Sequence, residues 1–455
     1  MKKGIVSLLA VTTVLMGTGA VSAESLEEAL AAAYESNPQL MAQRAALRAT
    51  DEGVSQANSG FLPSLSGTYS YSETKGTQTL PNGSSDIDTE TDSYQLSLSQ
   101  NIFNGFRDRN AVRGAKNSVM AGRAQLQSVE QQVLLEAVTA YMNVLRDEAV
   151  VDLNKNNVQV LERQLQASQD RFRVGEVTRT DVAQSEARLE GAKSNLLTAE
   201  ATLASSRAQY RRVVGHTPAG LETPTGQPTL PASLDEAIEV AMELSPGVIA
   251  ARYSEKAARE DVKQASGALL PSVDAFARWD KNVRAGAAAA NQLSGSDATT
   301  VGVQLSVPLY QGGSRYSTIR RAKQVRSQRV MEIRQAERVA QENVFVAWDQ
   351  YRAAVGQIKS TEAQVRASEI ALEGVRQEAY VGSRTTLDVL NAEQELLNAR
   401  VALVRAQRDE AVTAYSLVSA VGKLTAKDLR LGVAAYNPER YYDKVDTKFI
   451  GTDIE

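Results

Sequence analysis

Arg171-Phe172-Arg173-Val174-Gly175-Glu176-Val177-Thr178-Arg179-Thr180-Asp181-Val182 decides the fold, because the chain repeats it. The second copy is Tyr380-Val381-Gly382-Ser383-Arg384-Thr385-Thr386-Leu387-Asp388-Val389-Leu390. Gly175 and Gly382 are placed to end a helix, as glycine does just past a C-terminus. Thr178 with Asp181, and Thr385 with Asp388, then open a new helix as Thr-x-x-Asp, a variant of the capping box. Each copy therefore predicts the tight tip of an antiparallel helical hairpin.

Outward from the tips the apolar residues recur every seven positions. Val112, Val119, Leu126 and Val133 lead to Val144, Val151, Val158, Leu165 and Phe172. The step from Val133 to Val144 is a four-residue stutter, which locally unwinds a left-handed supercoil. The second copy gives Val344, Tyr351, Ile358, Val365 and Leu372. The returning helices carry Val182, Leu189, Leu196, Leu203 and Tyr210, and then Val389, Leu396 and Leu403. Proline interrupts neither long stretch. At ~1.5 Å per residue, the helix before each tip is roughly 100 Å long. The seams are narrow and the other faces are polar or small, so each hairpin needs neighbours on both sides. Heptads alone also fit a free-standing coiled-coil rod.

Further out the period changes to two. Leu65, Gly67, Tyr69 and Tyr71 interleave with serine and threonine. After a polar, glycine-containing loop, Tyr94, Leu96 and Leu98 do the same. The second copy offers Val273, Ala275, Ala277 and Trp279, then a loop rich in Ala, Asn and Ser, then Val301, Val303, Leu305 and Val307. These are four strands, each with one apolar and one polar face. Strands of this length with aromatics near their ends suit an outer-membrane barrel, with Tyr71 and Trp279 at the lipid–water boundary. A soluble hairpin packed on a core is the other reading.

At the outer margin, Ser25-Leu26-Glu27-Glu28-Ala29 returns as Ser233-Leu234-Asp235-Glu236-Ala237. Asn37-Pro38 and Ser245-Pro246 start the next helices, and Pro63 and Pro271 stop them. The chain thus divides into a secretory leader at 1–23, a first repeat at 24–216, a linker at 217–232, a second repeat at 233–422 and a C-terminal segment at 423–455 that wraps the middle or hangs loose. The leader has Lys2 and Lys3, an apolar stretch from Ile5 to Met16 and a Val21-Ser22-Ala23 cleavage site.

The bulk composition excludes several functions. There is no Cys and a single residue, His216, of the histidine type, so the common metal sites lack ligands. No glycine-rich phosphate loop and no nucleophile–base constellation can be drawn, so an enzyme is not expected and no cofactor is implied. Without the two leader lysines, 48 basic residues face 54 acidic ones, a net charge of −6, which argues against nucleic acid as partner.

Four strands cannot close a membrane barrel, for which ~8 is the small end. An open sheet in lipid leaves unpaired backbone groups costing several kcal/mol each. If the strands lie in a membrane, copies must share one barrel: two give eight strands and three give twelve. Their hairpins then ring a common axis as a tube.

These features resemble the TolC family of outer-membrane channel-tunnels. The resemblance is carried by the doubled opening, Asn37-Pro38, Leu62-Pro63-Ser64, Phe103-Asn104-Gly105 and above all the doubled tip, which is similar to the type I secretion branch. It implies a mostly α fold with a β membrane part: a homotrimer with a twelve-stranded β-barrel in outer-membrane lipid, continued by an α-barrel through the periplasm. It implies a passive conduit for type I protein secretion, whose tips meet a periplasmic adaptor and an inner-membrane ABC or proton-driven transporter. A multidrug-efflux outlet for small molecules is the alternative in the same class, and a periplasmic coiled-coil adaptor or scaffold the alternative in another. Asp388 falls on one of the family's entrance aspartates, and the second such position holds Asn391, a departure from a doubled anionic ring. Arg384 and Asp181 fall on tip-latch positions. The latch tyrosine position holds Ala379, with Tyr380 one step away. Asp181 and Asp388 are equally placed to cap their helices, where a carboxylate favours the dipole, and Asp388 can do this while lining a pore.

Overall fold

The computed structural model describes residues 23–81, 83–224, 226–286 and 294–453; the leader expected at 1–23 lies almost wholly outside them. Repeat one opens with α1 (Leu26–Ser36) and α2 (Pro38–Asn58). Ser25 and Glu28 form a capping box on α1, and the Asn37 side chain accepts from Gln39 N–H ahead of Pro38. A single 3₁₀ turn (Ser59–Phe61) then leads into β1 (Ser64–Leu80) and β2 (Gly83–Phe103). The long helix α3 (Arg107–Arg173) spans 67 residues, about 100 Å, and α4 (Arg179–Val214) returns beside it.

Repeat two follows the same order: α5 (Leu234–Leu244), α6 (Pro246–Gly267), β3 (Ser272–Gly286), β4 (Ser294–Ser306), α7 (Ser314–Tyr380, again 67 residues) and α8 (Thr386–Ala420). A last helix, α9 (Glu439–Val445), lies against α2.

Through the middle of repeat one the heptad seam is where the sequence places it, while at the tip Phe172 is exposed. Val119, Leu126, Val133, Val144, Val151 and Val158 of α3 are all buried, and so are Leu189, Leu203 and Tyr210 of α4. The largest apolar cluster sits at mid-height of repeat one, where Tyr141 and Tyr210, both fully buried, meet α1 and the segment after α8.

The C-terminal segment is strapped across α2 rather than hanging free. Tyr441 donates to Glu52 at 2.6 Å, Ser55 to the Lys448 carbonyl at 3.1 Å, and Arg123 pairs with Glu439 at 3.1 Å. Beneath the strap, Asp51 is buried with both carboxylate oxygens unpartnered, and burial pushes its carboxyl up to about 6.

One expectation is corrected. The polar stretches between paired strands are not simple loops. β1 continues to Leu80 and β2 begins at Gly83, and these two residues pair opposite each other. The extension has no apolar face to advertise it. It is held by the ladder itself, with Thr74 opposite Thr89 and Thr77 donating to Asp86 at 3.2 Å. Likewise β3 runs to Gly286 and β4 starts at Ser294, and the rest of that expected loop, 287–293, lies outside the described residues.

Candidate functional site: membrane sheet and helical tips

The four strands form one antiparallel sheet in the order β1-β2-β3-β4. Register puts Leu65, Gly67, Tyr69 and Tyr71 beside Leu98, Leu96, Tyr94 and Asp92, and carries that face on to Ala277, Trp279 and Val301. Nothing in the chain covers the apolar face: Leu65, Tyr69, Leu96, Val301, Val303 and Leu305 are all exposed. The opposite face is polar, with Ser66 and Ser97 hydroxyls 2.8 Å apart and Gln95 donating to Asp280 at 3.1 Å. A sheet with an uncovered apolar face and a polar opposite face has the two-sidedness of a pore wall in lipid, not of the cover of a soluble core.

The aromatic boundary has structure of its own. Tyr69 stacks on Tyr94 with centroids 5.1 Å apart and donates to Asp92 at 2.8 Å. Trp279 Nε1 donates to Asp297 at 2.7 Å. Tyr71 and Trp279 both lie on the exposed apolar face, Tyr71 opposite Asp92 and Trp279 opposite Leu96. β1 and β4 each pair on one side only, so the wall is open at both edges.

At the other end of the molecule the two tips share one geometry. Gly175 (φ +81°) and Gly382 (φ +77°) take the left-handed conformation after α3 and α7. Glu176 N–H bonds back to the Arg171 carbonyl and Ser383 N–H to Glu378, each at 2.9 Å, closing a Schellman-type turn. Thr178 accepts from Asp181 N–H, while Asp181 Oδ2 accepts from Thr178 N–H at 2.9 Å and from its hydroxyl at 2.8 Å. Thr385 and Asp388 repeat the arrangement at 3.0 and 2.8 Å. The N–H and hydroxyl of Thr385, with Arg384 nearby, hold the Asp388 carboxyl below its usual range, so it is a fixed negative charge at the tip.

The structure brings Asp181, Thr178, Tyr380, Gly382, Arg384 and Thr385 to one cleft of about 820 Å³ between the two tips. Within the single chain, Arg384 Nε donates to Glu378 at 2.8 Å, on its own hairpin, and Tyr380 is exposed. Asn391 lies elsewhere, as the acceptor of a 2.8 Å bond from Arg188, which ties α8 to α4. Arg188 and Glu378 escape sequence reading. Arg188 is seven residues past Asp181 and Asn391 three past Asp388, so the pair reveals a stagger between hairpins that no local pattern encodes. Among the described residues, no group of three or more His, Asp or Glu side chains is placed to hold a metal ion.

Unclosed sheet, uncovered apolar face and 100 Å hairpins together define the class: a subunit of a composite channel crossing an outer membrane and the space beneath it. Comparison agrees. The family model described as "Outer membrane efflux protein" matches this chain twice, over 29–216 and 237–423, and the chain belongs to that family. Relatives include the outer membrane efflux protein BepC of Brucella suis, 36% identical, covering 96% of this chain and 94% of BepC. The outer membrane protein TolC of Escherichia coli is 27% identical over 90% of this chain and 84% of its own. The alkaline protease secretion protein AprF of Pseudomonas aeruginosa is 27% identical over 89% and 85%. Among solved structures, the Campylobacter jejuni CmeC outer membrane channel superposes with a TM-score of 0.78 at 16% identity, covering 93% of this chain and 89% of CmeC. The protein is therefore an outer-membrane channel that reaches into the periplasm, and not an enzyme. Membership of this family sets aside the adaptor or scaffold alternative.

Proposed function

We propose that three copies of this chain build a passive conduit for type I protein secretion. The observation that carries the shared tube is the sheet with two unpaired edges and an exposed apolar face. Joining β4 of one copy to β1 of the next removes every edge, and three copies give twelve strands with room for a water-filled lumen. The α7–α8 hairpin then packs on a neighbour, and the tips surround the periplasmic mouth. There they meet a periplasmic adaptor and an inner-membrane transporter, which supplies the energy.

Protein cargo is supported by the likeness to AprF, whose name records protease secretion, and by the doubled tip. A second reading, an outlet for small-molecule efflux, is favoured by the 36% identity to a protein named for efflux. The same duct can serve both, because its wall does no chemistry on the cargo. Asp388, Asn391, Arg188 and Arg384 are the residues proposed to set charge and closure at the mouth.

A deletion strain tests the cargo reading. Secretion predicts that specific large proteins vanish from the medium and return with the wild-type gene. An unchanged medium with lowered resistance to toxic small molecules would replace secretion by efflux.

A further inference from the structure

Glu24 is the first residue after the Ala23 bond marked for cleavage, yet it lies inside the fold. Its side chain is 12% exposed. A parallel bridge joins it to Leu221 of the linker. Its N–H donates to the Gly220 carbonyl at 3.0 Å. Its carbonyl accepts from the Tyr141 hydroxyl at 2.8 Å and from Glu222 N–H at 3.1 Å. Its Oε1 accepts from the Tyr210 hydroxyl at 2.6 Å and lies 3.4 Å from His216 Nε2. The remaining polar atom, Oε2, is buried and has no partner.

The surroundings are short of positive charge. α1 brings Glu28, already used in its capping box, the end of repeat one brings His216 and the linker brings Glu222. α3 and α4 bring Tyr141 and Tyr210. Burial first, then Glu24, pushes both phenols up, so they serve as neutral donors. A buried carboxylate oxygen without a donor is destabilising, and more so among other carboxylates.

We infer that the missing partner is the α-ammonium of Glu24 itself, created when the leader is removed. This rests on reading Ala23–Glu24 as the cleaved bond. Hydrolysis by a leader peptidase adds one water across that peptide bond. Ala23 leaves as a carboxylate, and the Glu24 nitrogen, now an amine, takes up a proton. One N–H donor becomes three. One stays on the Gly220 carbonyl, and two are new, on the same residue as the orphaned Oε2. The precursor therefore holds an incomplete charge site at mid-height of repeat one, and only the processed chain completes it. Processing thus stabilises the fold after export rather than merely freeing it.

The test uses full-length protein purified from outer membranes. Intact mass must place the first residue at Glu24; any other start overturns the inference. Three variants are then melted beside the wild type: a Gly-Ser insertion between Ala23 and Glu24, Glu24→Gln, and the two combined. Insertion moves the amine away, so it should lower the melting temperature by several degrees. Glu24→Gln should lower it in the natural chain, where an ion pair is lost, and raise it in the inserted chain, where an unpaired charge is relieved. That change of sign is what steric damage cannot produce. An inserted protein melting with the wild type, or Glu24→Gln acting with one sign in both, overturns the inference.

Discussion

α3 and α7 are repeat-equivalent helices of 67 residues each, sharing their heptads from Val144 and Tyr351 toward the tips, but they live in different surroundings. α3 buries 21 residues and α7 buries seven. α3 is packed by α1, α2, α4, α6 and α8, whereas α7 packs chiefly on α5, α6 and α8. The face of α7 left open carries Val325, Met331, Val339, Phe345, Val346 and Ile370, all exposed. The whole chain exposes 28158 Å², against about 17,000 Å² for a compact monomer of this mass. Duplication thus supplied two elements of equal length, and the fold used one as its own core and left a face of the other uncovered.

That contrast can be broken at matched positions. Tyr141→Ala removes a fully buried ring and the hydroxyl that holds the Glu24 and Glu222 carbonyls. It should cost about 3–5 kcal/mol and expose the single chain to proteolysis. Phe345→Glu on α7 should leave the chain folded and abolish its assembly, seen as loss of the heat-modifiable oligomer with unchanged helicity. If both variants only unfold the chain, the two helices do not differ in role.

The strand-to-helix corners give a finer comparison. Gly105 and Gly312 are repeat-equivalent and both have positive φ. A Cβ on Gly105 would meet the Gly267 carbonyl oxygen at 2.2 Å, while one on Gly312 would meet nothing. Gly312→Ala should cost roughly 1 kcal/mol for its backbone alone. Gly105→Ala should cost clearly more, as read by the melting temperature.

Asp51 separates α2 under its strap from α6, which has none. Its folded value, about 6, lies above the ordinary 3.8, so the unfolded chain loses this proton first as pH rises. Stability therefore falls across that window. Asp51→Asn should raise the melting temperature above about pH 7 and change it little near pH 4; equal effects at both would dissociate Asp51 from that fall.

The smallest expected effects are at the tips. Asp388→Ala should weaken block by polyvalent cations in planar bilayers more than the equally capped Asp181→Ala, and equal effects would leave Asp388 a helix cap only. Arg384→Glu should raise conductance if the mouth is closed by tip contacts; an unchanged value would make Arg384 a surface residue.

What could be read from the sequence was local. Thr178, Asp181, Thr385 and Asp388 announce their caps within four residues, and Val119 to Val158 announce the seam by period. The strand ends from Ser72 to Leu80 could not be read, because a ladder with water on both faces needs no apolar alternation. Over the heptads that α3 and α7 share, their difference was hidden too, since a common period says nothing of which seam is covered. The Arg188–Asn391 tie depends on hairpin stagger, and the burial of Glu24 depends on the linker pairing with it at Leu221.

The central claim is that this chain is incomplete alone and is closed by copies of itself. Native mass spectrometry of the detergent-extracted protein tests it most directly. Three chains in one particle, resistant to dissociation until heated, is the predicted result. A folded, monodisperse single chain would contradict it.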